Sequence, residues 1–219
     1  MATARGPVFF DLDGVLVDSR VAITRSMNAA LEACGLEPRP ERDLERFIGP
    51  PIVHSFAALA AERGADPALA ADCLPAYRAR YRERSVAETE LVPEIGALVR
   101  ELAARRPVAV VTTKPRVLAI ALLDGLGLLA PFRLVDGPEL SDPGEEKAVG
   151  LGRALAAVGD GDGAVMIGDR RHDVVAARAH GLPAIGVTWG IGSREELEAA
   201  GAQRVVDSVG ELRAALAAG

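Results

Sequence analysis

Short apolar runs ending in small or acidic residues recur along the chain, each followed by a segment of helical period. Val8, Phe9 and Phe10 run into Asp11, residues 107–112 end in Thr112, residues 164–169 end in Asp169, and residues 184–188 end in Thr188. Residues 133–135 and 204–206 repeat the pattern more weakly. The strong runs do not alternate apolar with polar positions, which predicts strands buried on both faces of a sheet. Their interleaving with helices predicts an α/β fold with a Rossmann-like parallel sheet and right-handed crossovers. Ile95, Leu98, Val99 and Leu102 form one helical stripe, and Val209, Leu212 and Leu216 another. Gly181, after His180, predicts a helix stop.

Between Asp11 and Val108 lies far more chain than the roughly thirty residues of a simple βαβ unit. This stretch reads as helices. Ile23, Met27, Ala30, Leu31 and Cys34 share one face; Val53, Phe56, Ala57 and Ala60 a second; Leu69, Cys73, Tyr77 and Tyr81 a third. The expected organisation is a helical insert over 18–90, with residues 1–17 and 91–219 forming the α/β core. Pro38, Pro40, Pro50 and Pro51 mark turns inside the insert.

Composition narrows the classes. A chain of 219 residues, 49% hydrophobic and 26% charged, supports one good-sized core carrying a smaller insert and excludes a disordered chain. With 25 basic against 31 acidic residues the net charge is −6, which argues against a nucleic-acid partner, since polyanions bind through surplus Lys and Arg. No run approaches the roughly 20 apolar residues of a membrane span, and the N-terminus lacks the apolar stretch of a signal peptide. A cytoplasmic protein without a membrane partner, monomeric or homodimeric, is expected. Cys34 and Cys73 are too few for a disulfide framework and read as buried free thiols. Only two of the basic residues are lysine, Lys114 and Lys147.

Ligands of open α/β sheets bind at the carboxyl ends of the strands. There the sequence places Asp11, Thr112 and Asp169, with Asp13 and Asp173 close behind. Asp11-Leu12-Asp13-Gly14 taken alone is a strand end running into an Asp-Gly turn. Yet two acids one residue apart point the same way on an extended chain, and they repel unless a cation sits beside them. A hard divalent ion, most simply Mg²⁺, suits such oxygen ligands. Asp169 is placed to N-cap the following helix and Asp173 to sit in its first turn, roles compatible with a shared oxygen cage.

Thr112 and Thr113 end a strand, where threonine is common, and offer a hydroxyl and a backbone N–H to an oxyanion. Lys147 stands near a helix start, where the macrodipole disfavours a cation, and its compact charge suits a phosphate oxygen. Arg46 and His54 lie in or beside the loop over 46–51 and are candidate substrate contacts, a solvated surface turn being the equal alternative. His54, His172 and His180 share no metal-ligand spacing, and Trp189 reads as packing at a strand end.

Together these segments resemble the haloacid dehalogenase superfamily, and most closely its phosphatases of the phosphoglycolate phosphatase type with a small helical cap. Phe9-Phe10-Asp11-Leu12-Asp13-Gly14-Val15-Leu16-Val17-Asp18-Ser19 is similar to the first signature almost residue for residue. Val110-Val111-Thr112 resembles the second, Lys147 the third, and Gly168-Asp169 with Asp173 the fourth. Two positions depart: Ala148 follows Lys147 where proline is frequent, and Thr113 stands where asparagine or serine is frequent.

The resemblance implies Asp11 as nucleophile, forming an aspartyl-phosphate, and Asp13 as general acid and base. It implies Mg²⁺ held by Asp11, the Asp13 carbonyl and Asp169, with Asp173 in support. Thr112 and Lys147 would stabilise the transferring group, and the insert would act as a lid over a small phosphorylated metabolite. Three sister chemistries bear on this. A dehalogenase has no use for Asp13 or a metal cage, and a phosphonate hydrolase needs a cap lysine that residues 18–90 lack. A β-phosphoglucomutase-like mutase uses the same acids, and a non-catalytic binding module would keep the fold without turnover.

Overall fold

The computed structural model describes residues 6–159 and 163–218. The chain opens with β1 (Val8–Phe10) and β2 (Val17–Asp18), then α1 (Arg20–Ala33), α2 (Glu41–Leu44) and a 3-10 turn at Glu45–Phe47. It continues through α3 (Ile52–Ala61), α4 (Leu69–Arg84), β3 (Glu90–Leu91), α5 (Ile95–Ala103), β4 (Val108–Val111), α6 (Arg116–Gly125) and β5 (Leu134–Asp136). The last part comprises α7 (Lys147–Val158), β6 (Val165–Gly168), α8 (Arg171–Ala179), β7 (Ala184–Val187), α9 (Arg194–Ala200), β8 (Arg204–Val206) and α10 (Val209–Ala218).

Six strands form one sheet in the order β5-β4-β1-β6-β7-β8, and every pairing is parallel. β1 sits at the centre, with Val8 opposite both Val108 and Val165. Its apolar run does not alternate because both faces are covered. Val8 and Phe10 point into a cluster with Ile95 and Leu98 of α5, Leu122 of α6 and Leu212 of α10. Phe9 between them points the other way, onto Leu151 and Ala154 of α7 and Val174 and Ala177 of α8. Each large side chain so buried contributes about 1.5–3 kcal/mol. The parallel α/β architecture agrees with the pattern of apolar runs. Gly181 follows α8 with φ +69°, the left-handed stop expected there.

The helices α1, α3 and α4 share a separate cluster in which Ile23, Met27, Leu31, Phe56, Leu59, Tyr77 and Tyr81 are buried. Leu118 of α6 belongs to that cluster too, so the helical segment packs directly on the sheet's own helices. The chain enters and leaves it through β2 and β3, which pair antiparallel, Val17 with Leu91 and Asp18 with Glu90. Cys34 and Cys73 are free thiols in this cluster, their Sγ atoms 2.9 Å apart; burial and the contact with Cys34 push the Cys73 thiol up to about 12. Trp189 packs against the main cluster and donates its indole N–H to the Val15 carbonyl at 3.2 Å. Among the described residues no helix is long and apolar enough to cross a membrane.

Candidate active site

The carboxyl ends of β1, β4 and β6 adjoin at the centre of the sheet, and the chain crosses from β5 back to β6 over β1. That reversal of direction opens a crevice beyond the strand ends. Asp11 follows β1, Thr112 follows β4, Asp169 follows β6, Lys147 opens α7 and Asp173 lies in the first turn of α8. All five are buried.

Asp11 Oδ1 accepts the Leu12 N–H at 2.7 Å, and its Oδ2 lies 2.7 Å from Lys147 Nζ. Lys147 Nζ also donates to Asp173 Oδ1, whose other oxygen accepts the Arg170 N–H at 3.0 Å. A cation at the start of α7 is thus held by two carboxylates that outweigh the helix dipole. Asp169 does not cap α8, since Arg170 occupies that position. Its Oδ2 instead accepts the Ile191 N–H at 2.8 Å, while its Oδ1 is buried without a protein partner. Asp11, Asp169 and Asp173 each place one oxygen within 4.8 Å of the others. The backbone closes tightly over this group. Gly14 has φ +84°, and a Cβ there would lie 2.2 Å from Asp169 Oδ2, as would one on Gly190.

Three carboxylates face one ammonium, and their ionisation reflects it. Burial pushes Asp11 up to about 7 against the pull of Lys147, with Asp173 and Asp13 adding to the rise. Burial, with Asp173 and Asp11, holds Asp169 well above the carboxylate range. For Lys147 burial acts downward, but Asp11 and Asp173 prevail and keep its ammonium above the ordinary range. An orphaned buried carboxylate oxygen beside two further carboxylates fits a hard divalent cation bound through oxygen.

Asp13 does not join this group. After Leu12 the chain turns, with the N–H groups of Leu16 and Val17 both donating to the Leu12 carbonyl. Asp13 Oδ1 instead accepts from Ser19 Oγ and from Lys114 Nζ, each at 2.5 Å. Lys114 Nζ donates also to Tyr81 Oη on α4 at 2.5 Å. No local pattern in the sequence gives Lys114, Tyr81 or Ser19 a role at the site; the scarcity of lysine is the one signal for the first.

The Thr112 N–H donates to the Asp136 carbonyl at 3.1 Å, and its hydroxyl oxygen accepts the Lys114 N–H at 3.1 Å. The Thr113 hydroxyl donates to the Gly49 carbonyl at 2.8 Å, holding the loop before α3. Arg46 and His54 stand apart from the site. Arg46 is drawn to Glu62 at 2.8 Å and lies over the Phe47 ring, and exposed His54 is 3.9 Å from Glu146.

The family model of haloacid dehalogenase-like hydrolases matches residues 8–187, and the chain belongs to that family. It is 34% identical over 194 residues to a 5'-nucleotidase of Pseudomonas aeruginosa, covering 88% of this chain and 86% of the relative. It is 34% identical over 212 residues to a phosphoglycolate phosphatase of Neisseria meningitidis, covering 94% and 89%. The crystal structure of a predicted phosphatase from Clostridium acetobutylicum superposes with a TM-score of 0.91 at 32% identity, over 99% of this chain and all of the other.

Proposed function

We propose that this chain is a Mg²⁺-dependent phosphatase that hydrolyses a small organic phosphomonoester through a phosphorylated Asp11. The observation that carries the reading is the convergence of Asp11, Asp169 and Asp173 oxygens within 4.8 Å, with Lys147 Nζ bound to two of the three. The relatives named as a phosphoglycolate phosphatase and a 5'-nucleotidase support phosphate-ester hydrolysis as the reaction.

Asp11 Oδ attacks phosphorus in line, the bond from phosphorus to the ester oxygen breaks, and the leaving oxygen takes a proton from Asp13. Water then attacks the phosphorus of the acyl phosphate, Asp13 recovers a proton from it, and Asp11 is released with inorganic phosphate. Mg²⁺, held by Asp11, Asp169 and the Asp13 carbonyl with Asp173 in support, would supply charge neutralisation between phosphate and nucleophile. Lys147 and the Thr112 hydroxyl stabilise charge on the transferring oxygens. Residues 18–90 act as a cap that excludes water, on a core of residues 1–17 and 91–219.

Acid quench during turnover of a ³²P-labelled ester tests this. Label should remain on the protein, be released by hydroxylamine as an acyl phosphate requires, and be lost in Asp11→Asn. Protein that hydrolyses the ester with no hydroxylamine-labile label would remove Asp11 from the nucleophile's role.

A further inference from the structure

A cavity lies between the helical segment and the sheet, and Asp13 forms part of its wall. In the reaction above, Asp13 protonates the departing oxygen, so whatever that oxygen carries extends past Asp13 into this space. The cavity is therefore the site of the leaving group, and its chemistry defines the alcohol. Ile23, Phe47, Ile48, Ile52, Tyr77 and Leu118 line it, and four of these side chains are aliphatic.

Three of the polar side chains on its wall, Asp13, Thr113 and Lys114, are already engaged. The Thr113 hydroxyl is spent on the Gly49 carbonyl. The Lys114 ammonium is neutralised by Asp13 at 2.5 Å, bonded to Tyr81 Oη at 2.5 Å, and lies 4.7 Å from the centroid of the Tyr81 ring. Among the described residues no arginine or histidine lines the cavity. The nearby guanidinium groups are held elsewhere: Arg46 by Glu62, Arg170 by Glu196 and the Ile48 carbonyl, and Arg20 by Asp18. A carboxylate in this space would lose its water and find only the Lys114 ammonium, which Asp13 and Tyr81 already hold. An alkyl group would gain by leaving water.

We infer that this cavity selects a compact, uncharged alkyl leaving group and discriminates against an anionic one. The inference rests on the phosphatase reading above and narrows its substrate to phosphomonoesters of small apolar alcohols, against the acid named for one of the relatives.

Isobutyl phosphate and 2-phosphoglycolate form a matched pair for the test. Both are esters of primary alcohols, and an isopropyl group and a carboxylate have similar branched shapes. With purified protein and Mg²⁺, kcat/KM for isobutyl phosphate should exceed that for 2-phosphoglycolate at least tenfold. Ile52→Arg, which places a guanidinium at the half-buried rim, should reduce or invert that ratio. Equal rates, or a preference for 2-phosphoglycolate in the unaltered protein, would overturn the inference. Hydrolysis of p-nitrophenyl phosphate with neither alkyl ester accepted would also overturn it, while leaving the phosphatase reading intact. Failure to hydrolyse any of the three would instead remove the phosphatase reading itself.

Discussion

Replacing Asp169 by asparagine keeps an oxygen for the Ile191 N–H and puts an amide where the buried Oδ1 finds no partner. Burial first, then Asp173 and Asp11, raise the Asp169 pKa in the folded protein. A raised carboxylate pKa means that ionisation costs folding stability once pH exceeds the unfolded value of 3.8. In EDTA at pH 7, Asp169→Asn should therefore melt higher than the parent protein. A relief of about 1 kcal/mol corresponds to roughly 2–4 °C in a protein of this size. With saturating Mg²⁺ the order should reverse, because the parent gains a ligand that the variant holds poorly. Thermal unfolding in the two buffers reads both signs, and a variant less stable in EDTA would contradict the electrostatic account. Asp11, Thr112, Lys147, Asp169 and Asp173 were legible in the sequence because each stands at a strand end or helix start, where local rules apply. The partners of Asp13 were not: Lys114 is 101 positions away and reaches it only through the fold, as does Tyr81 from α4. For Arg46, left open between a substrate contact and a solvated surface residue, the sequence carries no local sign of Glu62, which pairs with it.

At the scale of elements, the loop between the 3-10 turn and α3 is gripped from the sheet side at two successive carbonyls. Arg170 donates to Ile48 and Thr113 to Gly49. Thr113→Val removes one grip with little change of shape. A lost hydrogen bond of about 1 kcal/mol should lower kcat/KM roughly fivefold if the cap works as proposed, and lower the melting temperature by roughly 2–4 °C. Steady-state kinetics beside a thermal melt checks this, and unaltered kinetics would show that the grip does not serve turnover. A second element-scale contact lies at the far end of α4, where Arg80 makes a paired bond to Glu88 at 2.9 Å through each nitrogen. The hydrogen bond from Arg80 holds the Glu88 carboxyl below its ordinary 4.5. A depressed carboxylate pKa gives stability that is present above 4.5 and lost as pH falls through the folded value. Glu88→Gln should cost about 0.5 kcal/mol at pH 7 after solvent screening, and less at pH 3. Denaturant titration at the two pH values measures it. The helical stripes made α1, α3 and α4 readable, but β2 and β3 span two residues each and leave no period to detect.

Over the whole molecule, the parallel sheet was readable because its strands are buried on both faces and so cannot alternate. What composition could not convey is that the charge-dense site sits on the three central strands, so its electrostatics are shared by the entire sheet. Among the described residues Lys147 is the single ammonium beside Asp11, Asp169 and Asp173, and it bonds two of them. Lys147→Met keeps the length and apolar stem and deletes the charge, leaving three buried carboxylates uncompensated. Breaking a buried ion pair on one side costs about 3–5 kcal/mol. Because β1 and its neighbours β4 and β6 all end at this cluster, the loss should appear as a lower midpoint of one cooperative urea transition rather than as local fraying. Mg²⁺ should restore part of the midpoint by neutralising the same carboxylates. On the proposed mechanism it should not restore turnover, since the cation assigned to the transferring oxygens is gone, and kcat should remain about 10²–10³-fold below the parent. Recovery of stability without recovery of rate would separate the two duties of Lys147. Full recovery of rate on adding Mg²⁺ would instead confine Lys147 to balancing the charge of the folded protein.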